Sequence, residues 1–207
     1  MALIERTLPL EREARFVRGV ERAGRFLLGR SDVHKALEKL VARLEGADIP
    51  YAIVGGMALN AAGYERVTAD VDVLLTHAGL EAFKRQALGR GYLEKFPGSR
   101  GVRDAENSVD IDIVLTGDFP GDGLPKPVAF PDPAEVAVKG QSVALLPLPR
   151  LLELKLASGI SAPHRLRDLA DVLEVIRILD LPAEFEDELD PYVRAKFQEL
   201  WQAARGA

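Results

Sequence analysis

The stretch YAIVGGMALNAAGYERVTADVDVLL, residues 51–75, decides the fold. Its apolar start predicts a short buried strand, and Gly55-Gly56 ends that strand before a short helical segment, MALNAAG. A second apolar run, DVDVLL, predicts another strand, which contains Asp70 and Asp72. Because residues i and i+2 of a strand point to the same face, the two carboxylates project together. Burying two like charges without compensation is costly. They therefore either decorate an exposed strand edge or hold a metal ion.

A later strand repeats this pattern. The segment SVDIDIVL, residues 108–115, places Asp110 and Asp112 on one face inside another apolar run. If the two strands are neighbours, three or four carboxylates meet at one point, and hard oxygen ligands in a cleft for phosphates favour Mg²⁺. Two such ions can activate an attacking hydroxyl and neutralise a leaving phosphate. We favour Asp112 as a ligand because it lies deeper in the strand, and we interpret Asp110 as a solvated strand-end residue.

The double glycine allows two interpretations. After a strand and before a helix, Gly55 and Gly56 would let the backbone approach a phosphate closely, and the start of the helix adds partial positive charge. An ordinary tight turn explains the two glycines equally well. The pattern is neither a Walker A loop nor a Rossmann G-x-G-x-x-G motif.

The order of the elements predicts the fold class. Helical patterns alternate with strand patterns in the first part of the chain, and three amphipathic helices follow near its end. This order predicts an α/β (α+β) fold, with a mixed β-sheet flanked by helices. We expect a single domain, with a helical extension over residues 1–30, a core over 31–147 and C-terminal helices over 148–207.

Residues 117–133 form the longest predicted loop. They hold five of the 13 prolines and three glycines. A loop of this length is unusual inside a compact domain, so it is either a stiff surface connection or the cover of a site.

The composition excludes several classes of protein. The chain has 207 residues, 47% of them hydrophobic, and no cysteine. No apolar run reaches the roughly 18 residues of a membrane span. Disulfides and cysteine-based zinc sites are excluded, and three widely spaced histidines argue against catalytic zinc. Because the charged N-terminus does not fit a signal peptide, we expect a cytoplasmic protein with no membrane partner.

The distribution of charge is uneven. A net charge of −5 argues against a general nucleic-acid-binding protein. Near the N-terminus, however, Arg15, Arg18, Arg22 and Arg25 fall on one face of a predicted helix. This face is either simply solvated or a track for a phosphate backbone.

The combined pattern resembles a known family. IVGGMALNAAG followed by RVTADVDVLL resembles the signature of the polymerase-β-type nucleotidyltransferase superfamily: Gly and then Gly or Ser, a spacer, and Asp-apolar-Asp-apolar. Asp112 in DIDIVL matches the third acid of that family's metal triad. One departure from the family pattern is Gly56 in place of serine, which removes a hydroxyl that could touch a phosphate.

One branch of the superfamily is closer. The R-x-T-x-D-x-D form, with Arg66 and Thr68, is similar to the nucleotidyltransferases of abortive-infection and related toxin–antitoxin systems. That branch continues with a lysine on a later helix and an R-x-x-D-x-x-D-like helix, which Lys155 and RLRDLADV (residues 165–172) match. The resemblance covers about residues 45–178.

The resemblance implies roles for these residues. Asp70 and Asp72 would bind both of two Mg²⁺ ions held with a nucleoside triphosphate. Asp112 would bind the catalytic ion and help to deprotonate the acceptor hydroxyl. The glycine pair would cradle the triphosphate, and Lys155 would neutralise phosphate charge. The implied nucleotide-binding set is Gly55, Gly56, Arg66, Thr68, Lys155 and Asp168.

Several of these positions keep a second interpretation. Arg66 is either a phosphate contact or a surface arginine, and a lysine such as Lys155 on an amphipathic helix is often a solvated side chain. Asp168 could orient Lys155 or an arginine. Arg167 and Asp171, at positions i and i+4, could form a simple helix salt bridge.

The implied function is a Mg²⁺-dependent transfer of a nucleoside monophosphate from an NTP to a hydroxyl, with pyrophosphate leaving. The acceptor is open among an RNA 3′ end, a protein and a small molecule, and a toxin–antitoxin setting implies an antitoxin or other partner protein. The alternative is a non-catalytic nucleotide- or metal-binding module of a regulatory or toxin–antitoxin system. A haloacid-dehalogenase-like phosphatase leaves the glycine pair unexplained, and a glycosyltransferase would need a second, sugar-binding domain.

Overall fold

The computed structural model describes residue 21 and residues 23–140 and 142–206. Of the predicted basic face, Arg15, Arg18 and Arg22 lie outside the described residues, and Arg25 is exposed. No helix in the described ranges combines the length and the apolar character that crossing a membrane requires.

Strands and helices follow one another in the order that the sequence predicts. The strands are β1 (Tyr51–Val54), β2 (Asp70–Leu75), β3 (Tyr92–Glu94), β4 (Val102–Asp104), β5 (Val109–Leu115), β6 (Val138–Lys139) and β7 (Ala144–Leu145). The α-helices are α1 (Asp32–Glu45), α2 (Gly55–Ala61), α3 (His77–Ala87), α4 (Pro133–Val136), α5 (Leu148–Ser161), α6 (Leu166–Ile178) and α7 (Pro191–Arg205). Two 3₁₀ helices cover Pro163–Arg165 and Ala183–Glu188.

Within the described residues, the seven strands form one sheet in the order β3-β4-β5-β2-β1-β7-β6. β2 is parallel to β5, and β1 is parallel to β7. The other neighbouring strands are antiparallel. The predicted fold class, a mixed sheet flanked by helices, is confirmed.

Each face of the sheet is covered by its own apolar core. One core packs α1 and α3 against the odd-numbered residues of β2. The other core is built with α2, α5, α6 and α7, and Leu74 belongs to it. Because side chains alternate along a strand, Asp70 and Asp72 share the face of Leu74. In the same way Asp112 shares a face with Val114. On this face both strands change from acidic to apolar along their length, which leaves an acidic edge beside the second core.

The proline-rich stretch is a loop, as predicted, and it ends in the short helix α4. Its two ends are joined by hydrogen bonds: Gly117 N–H donates to Phe130 O at 2.8 Å, and Phe130 N–H donates to Asp118 O at 2.9 Å. Near its tip, the loop packs so closely on α5 that a Cβ at Gly121 would lie 2.8 Å from Ser158 O. The loop is therefore fixed against the helix that also carries Lys155.

Candidate functional site

Two neighbouring strands bring the candidate carboxylates together. In the parallel register of β2 and β5, Asp70 lies opposite Asp110, and Asp72 lies opposite Asp112. Neighbouring strands are about 4.8 Å apart, so each pair shares one face at close range. The carboxylates also lie beside the end of β1, because Val54 is opposite Asp72. The glycine turn that follows β1 is thus adjacent to both Asp-x-Asp pairs.

The carboxylates of β5 have cationic partners. Lys95 Nζ lies 2.7 Å from Asp112 Oδ1 and 3.5 Å from Asp110 Oδ2. Arg103 Nη1 lies 2.8 Å from Asp110 Oδ1. Asp110 is therefore held at the sheet edge by Arg103 and Lys95, in keeping with its interpretation as a strand-end residue. The Asp112 side chain is 45% exposed, and the ion pair with Lys95 engages its Oδ1.

The carboxylates of β2 are more enclosed. Thr68 Oγ1 donates a hydrogen bond to Asp70 Oδ1 at 2.6 Å. Burial raises the pKa of Asp72 to about 6, and the negative charges of Asp70 and Asp112 add to this rise. The positive charge of Lys155 and a hydrogen bond from a backbone N–H of the glycine turn act in the opposite direction. Asp72 is thus a carboxylate that lacks sufficient positive charge around it.

The glycine pair is explained first by the position of Asp72. Gly55 has a φ of 61°, and a Cβ there would lie 1.9 Å from Asp72 Oδ2 and 2.8 Å from Asp72 Cβ. A Cβ at Gly56 would lie 3.0 Å from Thr68 and 3.2 Å from Arg66 Nη2. The Gly56 N–H lies near enough to the Asp72 carboxylate to act against the rise of its pKa. Both glycines therefore allow the site's side chains to touch the backbone.

We expect Gly55→Ala to destabilise the fold by about 2–4 kcal/mol, because it adds a strained positive φ to a clash with Asp72. Asp72 would also be displaced, so any activity that needs its carboxylate should fall. The matched control is Gly98→Ala: its φ is 76°, but nothing in the described part of the chain lies within 4 Å of the added Cβ. Backbone strain alone predicts a loss of about 1–2 kcal/mol there. Equal losses in urea unfolding would contradict the close approach of Asp72.

Opposite the strands, a buried ion network joins α5 to α6. Lys155 Nζ donates to Asp168 Oδ1 at 3.0 Å and to Asp171 Oδ2 at 2.8 Å. Asp168 Oδ2 also accepts hydrogen bonds from Ser158 Oγ at 2.7 Å and from Arg165 Nε at 2.8 Å. Burial raises the pKa of Asp168, but the charge of Lys155 and the hydrogen bonds outweigh burial and hold the pKa below its ordinary value. Lys155 is therefore a buried, paired cation and not a solvated side chain.

Arg66 packs against the same network, and its side chain is only 16% exposed. Its Nε lies 3.5 Å from Asp171 Oδ1, yet Nε and Nη1 find no hydrogen-bond acceptor among the described residues. Its backbone is held by Asn60, whose side chain accepts from Arg66 N–H at 2.9 Å and donates to Arg66 O at 2.8 Å. A buried donor without an acceptor is costly. The interpretation of Arg66 as a surface arginine is therefore wrong, and Asn60 is a positioning residue that the sequence did not reveal.

The interpretation that Arg167 and Asp171 form a helix salt bridge is also wrong. Asp171 is turned inward, where it pairs with Lys155 and Arg66. Arg167 is exposed at the pocket. The i,i+4 spacing alone could not distinguish these arrangements, because the buried partners come from other elements.

Most of these groups line one pocket of about 610 Å³ between the sheet, α5, α6 and the proline-rich loop. Asp110, Lys95, Arg103 and Asn60 lie outside its lining. Eight of the nine candidate site residues line it, and Gly56 lies just behind. They are Gly55, Arg66, Thr68, Asp70, Asp72, Asp112, Lys155 and Asp168. The pocket also has an apolar wall, which is composed of Val114, Phe119, Pro120, Phe130, Leu151 and Leu154. Its basic rim is composed of His164, Arg165 and Arg167.

The carboxylates fit a divalent cation by their chemistry, but they are not a preformed site. Among the described residues, no three His, Cys, Asp or Glu side chains converge closely enough to hold a metal ion. Asp112 is engaged by Lys95, and Asp70 by Thr68. On the other hand, the pKa of Asp72 is raised by burial and, in addition, by two nearby like charges, and a hard cation would neutralise that excess of negative charge. A cation bound by the three carboxylates would compete with Lys95 for Asp112 Oδ1.

Comparison with known proteins gives weak similarities only. No protein-family model matches the chain, and no curated protein matches it. One similar structure is the crystal structure of ANT(2″)-Ia in complex with adenylyl-2″-tobramycin. The two sequences are 12% identical, the alignment covers 83% of this chain and 95% of the ANT(2″)-Ia chain, and the TM-score is 0.45. The solution structure of ANT(2″)-Ia, an antibiotic-resistance factor, is 16% identical over 82% of this chain and 92% of its own, with a TM-score of 0.47.

JHP933 from Helicobacter pylori is 14% identical over 83% of this chain and 90% of its own, with a TM-score of 0.47. Similarities of this strength carry no conclusion about activity. The function must be argued from the residues of the pocket.

Proposed function

We propose that the chain is a nucleotidyltransferase of the polymerase-β type. In the proposed reaction, an acceptor hydroxyl oxygen attacks the α-phosphorus of an NTP. The bond from that phosphorus to the bridging β-phosphate oxygen breaks, and pyrophosphate leaves. One observation carries the proposal: Asp70, Asp72 and Asp112 share a single pocket with the largely buried cations Lys155 and Arg66. Acidic groups beside buried cations suit a metal-bound triphosphate.

Asp70, Asp72 and Asp112 are the residues proposed to hold Mg²⁺. When bound, Mg²⁺ supplies charge neutralisation for the triphosphate and lowers the pKa of the attacking hydroxyl. Asp112 is nearly half exposed and can accept the hydroxyl proton once its carboxylate leaves Lys95. Thr68 Oγ1 donates a hydrogen bond to Asp70, which fixes the orientation of that carboxylate.

The phosphates are proposed to contact Arg66 and Lys155. A phosphate oxygen would supply the acceptor that Arg66 Nε and Nη1 lack among the described residues. Lys155 adds charge from behind, and its position is fixed by Asp168 and Asp171. Of the glycine pair, only Gly55 lines the pocket, so it alone remains the proposed contact of the triphosphate with the turn.

The basic rim favours an acceptor that is not strongly cationic. His164, Arg165 and Arg167 are exposed at the pocket, and they would repel a polycation while attracting phosphates. Among an RNA 3′ end, a protein hydroxyl and a small molecule, this charge favours the RNA end. A toxin–antitoxin role, with a partner protein that restrains the enzyme, is proposed only on the resemblance of the sequence motifs.

A second candidate function is a non-catalytic nucleotide- or metal-binding module. The observation that favours it is the ion pair between Lys95 and Asp112, which occupies one of the three carboxylates. Calorimetric titration separates the two candidates. A module of this kind binds NTP without turnover, whereas the enzyme binds Mg²⁺-NTP and releases pyrophosphate.

The direct test is transfer of label. The protein is incubated with each of the four α-³²P-labelled NTPs, Mg²⁺ and total RNA or cell lysate, and the labelled product is identified. We expect covalent label in the acceptor fraction with Mg²⁺ and none after Mg²⁺ is removed with EDTA, because the carboxylates need a counter-ion to accept a triphosphate. No label and no pyrophosphate release with any NTP would contradict the enzymatic proposal.

A further inference from the structure

The apolar wall of the pocket has no part in the transfer chemistry described above. It is formed by Val114, Phe119, Pro120, Phe130, Leu151 and Leu154. On β5 the wall begins one step beyond the site, because Val114 follows Asp112 on the same face. Aromatic and aliphatic side chains thus continue directly from the carboxylates, and none of the six has a polar group on its side chain.

The proline-rich loop keeps this wall in place. Phe119 and Phe130 are half-buried and line the pocket from the two ends of the loop, which are joined by backbone hydrogen bonds. Pro120 O accepts a hydrogen bond from Lys126 Nζ at 2.7 Å, and Gly121 is pressed against α5. Lys126 Nζ lies over the Phe119 ring, 5.9 Å from its centroid, and so holds that ring as well. A surface fixed in this way presents its aromatic side chains to a ligand with little ordering cost.

We propose that this wall is the seat of the nucleobase and that it accepts all four bases. The inference rests on the proposed nucleotidyltransferase function. Phosphates belong beside the carboxylates and cations, so the uncharged, planar part of the same nucleotide meets the apolar remainder of the pocket. Stacking on an aromatic face accepts every base, because every base has a π-face. Without polar side chains on the wall, the hydrogen-bonding edge of the base is not distinguished there.

The experiment compares two ligands that differ in the base. Mg²⁺-ATP and Mg²⁺-tripolyphosphate are titrated calorimetrically into the wild-type protein, Phe119→Ala, Phe130→Ala and the control Phe96→Ala. Phe96 is 64% exposed, and it does not line the pocket. We expect each pocket variant to bind ATP about tenfold more weakly, with tripolyphosphate unchanged and Phe96→Ala like the wild type.

Phe119→Leu keeps an apolar side chain without the ring, so it replaces the alanine variant if that variant does not fold. Unchanged affinity for ATP, or an equal loss of affinity for both ligands, would overturn the nucleobase seat. A preference of more than tenfold for one of the four NTPs would overturn its tolerance of all bases. Failure of the wild-type protein to bind either ligand would instead overturn the nucleotidyltransferase proposal itself.

Discussion

Replacing Asp72 with Asn is expected to abolish nucleotide transfer and, at the same time, to stabilise the metal-free protein. Loss of a carboxylate that would hold Mg²⁺ removes several kcal/mol of transition-state stabilisation, so activity should fall by at least about 100-fold. The folded state of the variant gains stability, because in the wild-type protein the charged Asp72 carboxylate is half-buried beside Asp70 and Asp112. A pKa raised from 3.8 to about 6 corresponds to about 3 kcal/mol of unfavourable interaction. Because Asp72 retains some contact with water, we expect a gain of about 1–2 kcal/mol.

The sign of the pH dependence provides a further check. A carboxyl whose pKa is higher in the folded state destabilises the fold where it is ionised in both states, which means above about pH 6. The advantage of Asp72→Asn should therefore be full at pH 8 and should shrink as the pH falls below 6, because wild-type Asp72 then takes up a proton. Urea unfolding at pH 8 and pH 5, without Mg²⁺, measures the difference.

Asp110→Asn is the matched control, since Asp110 stands on the same sheet face but is paired with Arg103. It should leave the free energy of unfolding within about 0.5 kcal/mol of wild type. Its transfer activity should fall less than tenfold. If the two variants lost activity equally, Asp110 would belong to the reacting site. A loss of stability in Asp72→Asn would show that the like-charge repulsion is already compensated.

The local pattern of the sequence predicted the acidic strands well. The alternation in DVDVLL and SVDIDIVL fixes which side chains share a face, and the structure has both segments as strands. The sequence alone did not predict that these two strands are neighbours in parallel register, although the predicted metal site depends on it. Sheet order depends on long-range packing, and no residue in either segment specifies its neighbour.

The partners of the site residues could not be predicted from the sequence for the same reason. Lys95 pairs with Asp112, which lies 17 residues away in the sequence. Asn60 holds the backbone of Arg66 through its side chain, and no helical or strand periodicity predicts that contact. From the sequence, the double glycine is predicted to be either a phosphate cradle or an ordinary tight turn. The structure adds a third reason, the approach of the Asp72 side chain to the Gly55 backbone, which the sequence could not reveal without the strand pairing.

The buried network around Lys155 carries the second large prediction. Lys155→Met should lower the free energy of unfolding by about 3–5 kcal/mol, because it leaves Asp168 and Asp171 buried without their shared cation. Asp168 keeps Ser158 and Arg165 as partners, so most of the cost should fall on Asp171. Urea unfolding at neutral pH measures it, with Lys35→Met as the control for loss of a lysine. The Lys35 side chain is 61% exposed, and its one ion pair among the described residues is with exposed Asp32, so that change should stay within about 0.5 kcal/mol.

A double variant separates loss of charge pairing from loss of packing. If the cost of Lys155→Met comes from an uncompensated Asp171 charge, Lys155→Met combined with Asp171→Asn should recover about 2 kcal/mol, because the unpaired charge is gone. If the cost came from packing alone, the two losses would add. The double variant also tests whether Arg66 depends on Asp171, because Arg66 Nε faces the same carboxylate. Neutralising Asp171 leaves that buried guanidinium with less compensation, so recovery should be partial, and full recovery would mean that Arg66 does not depend on Asp171.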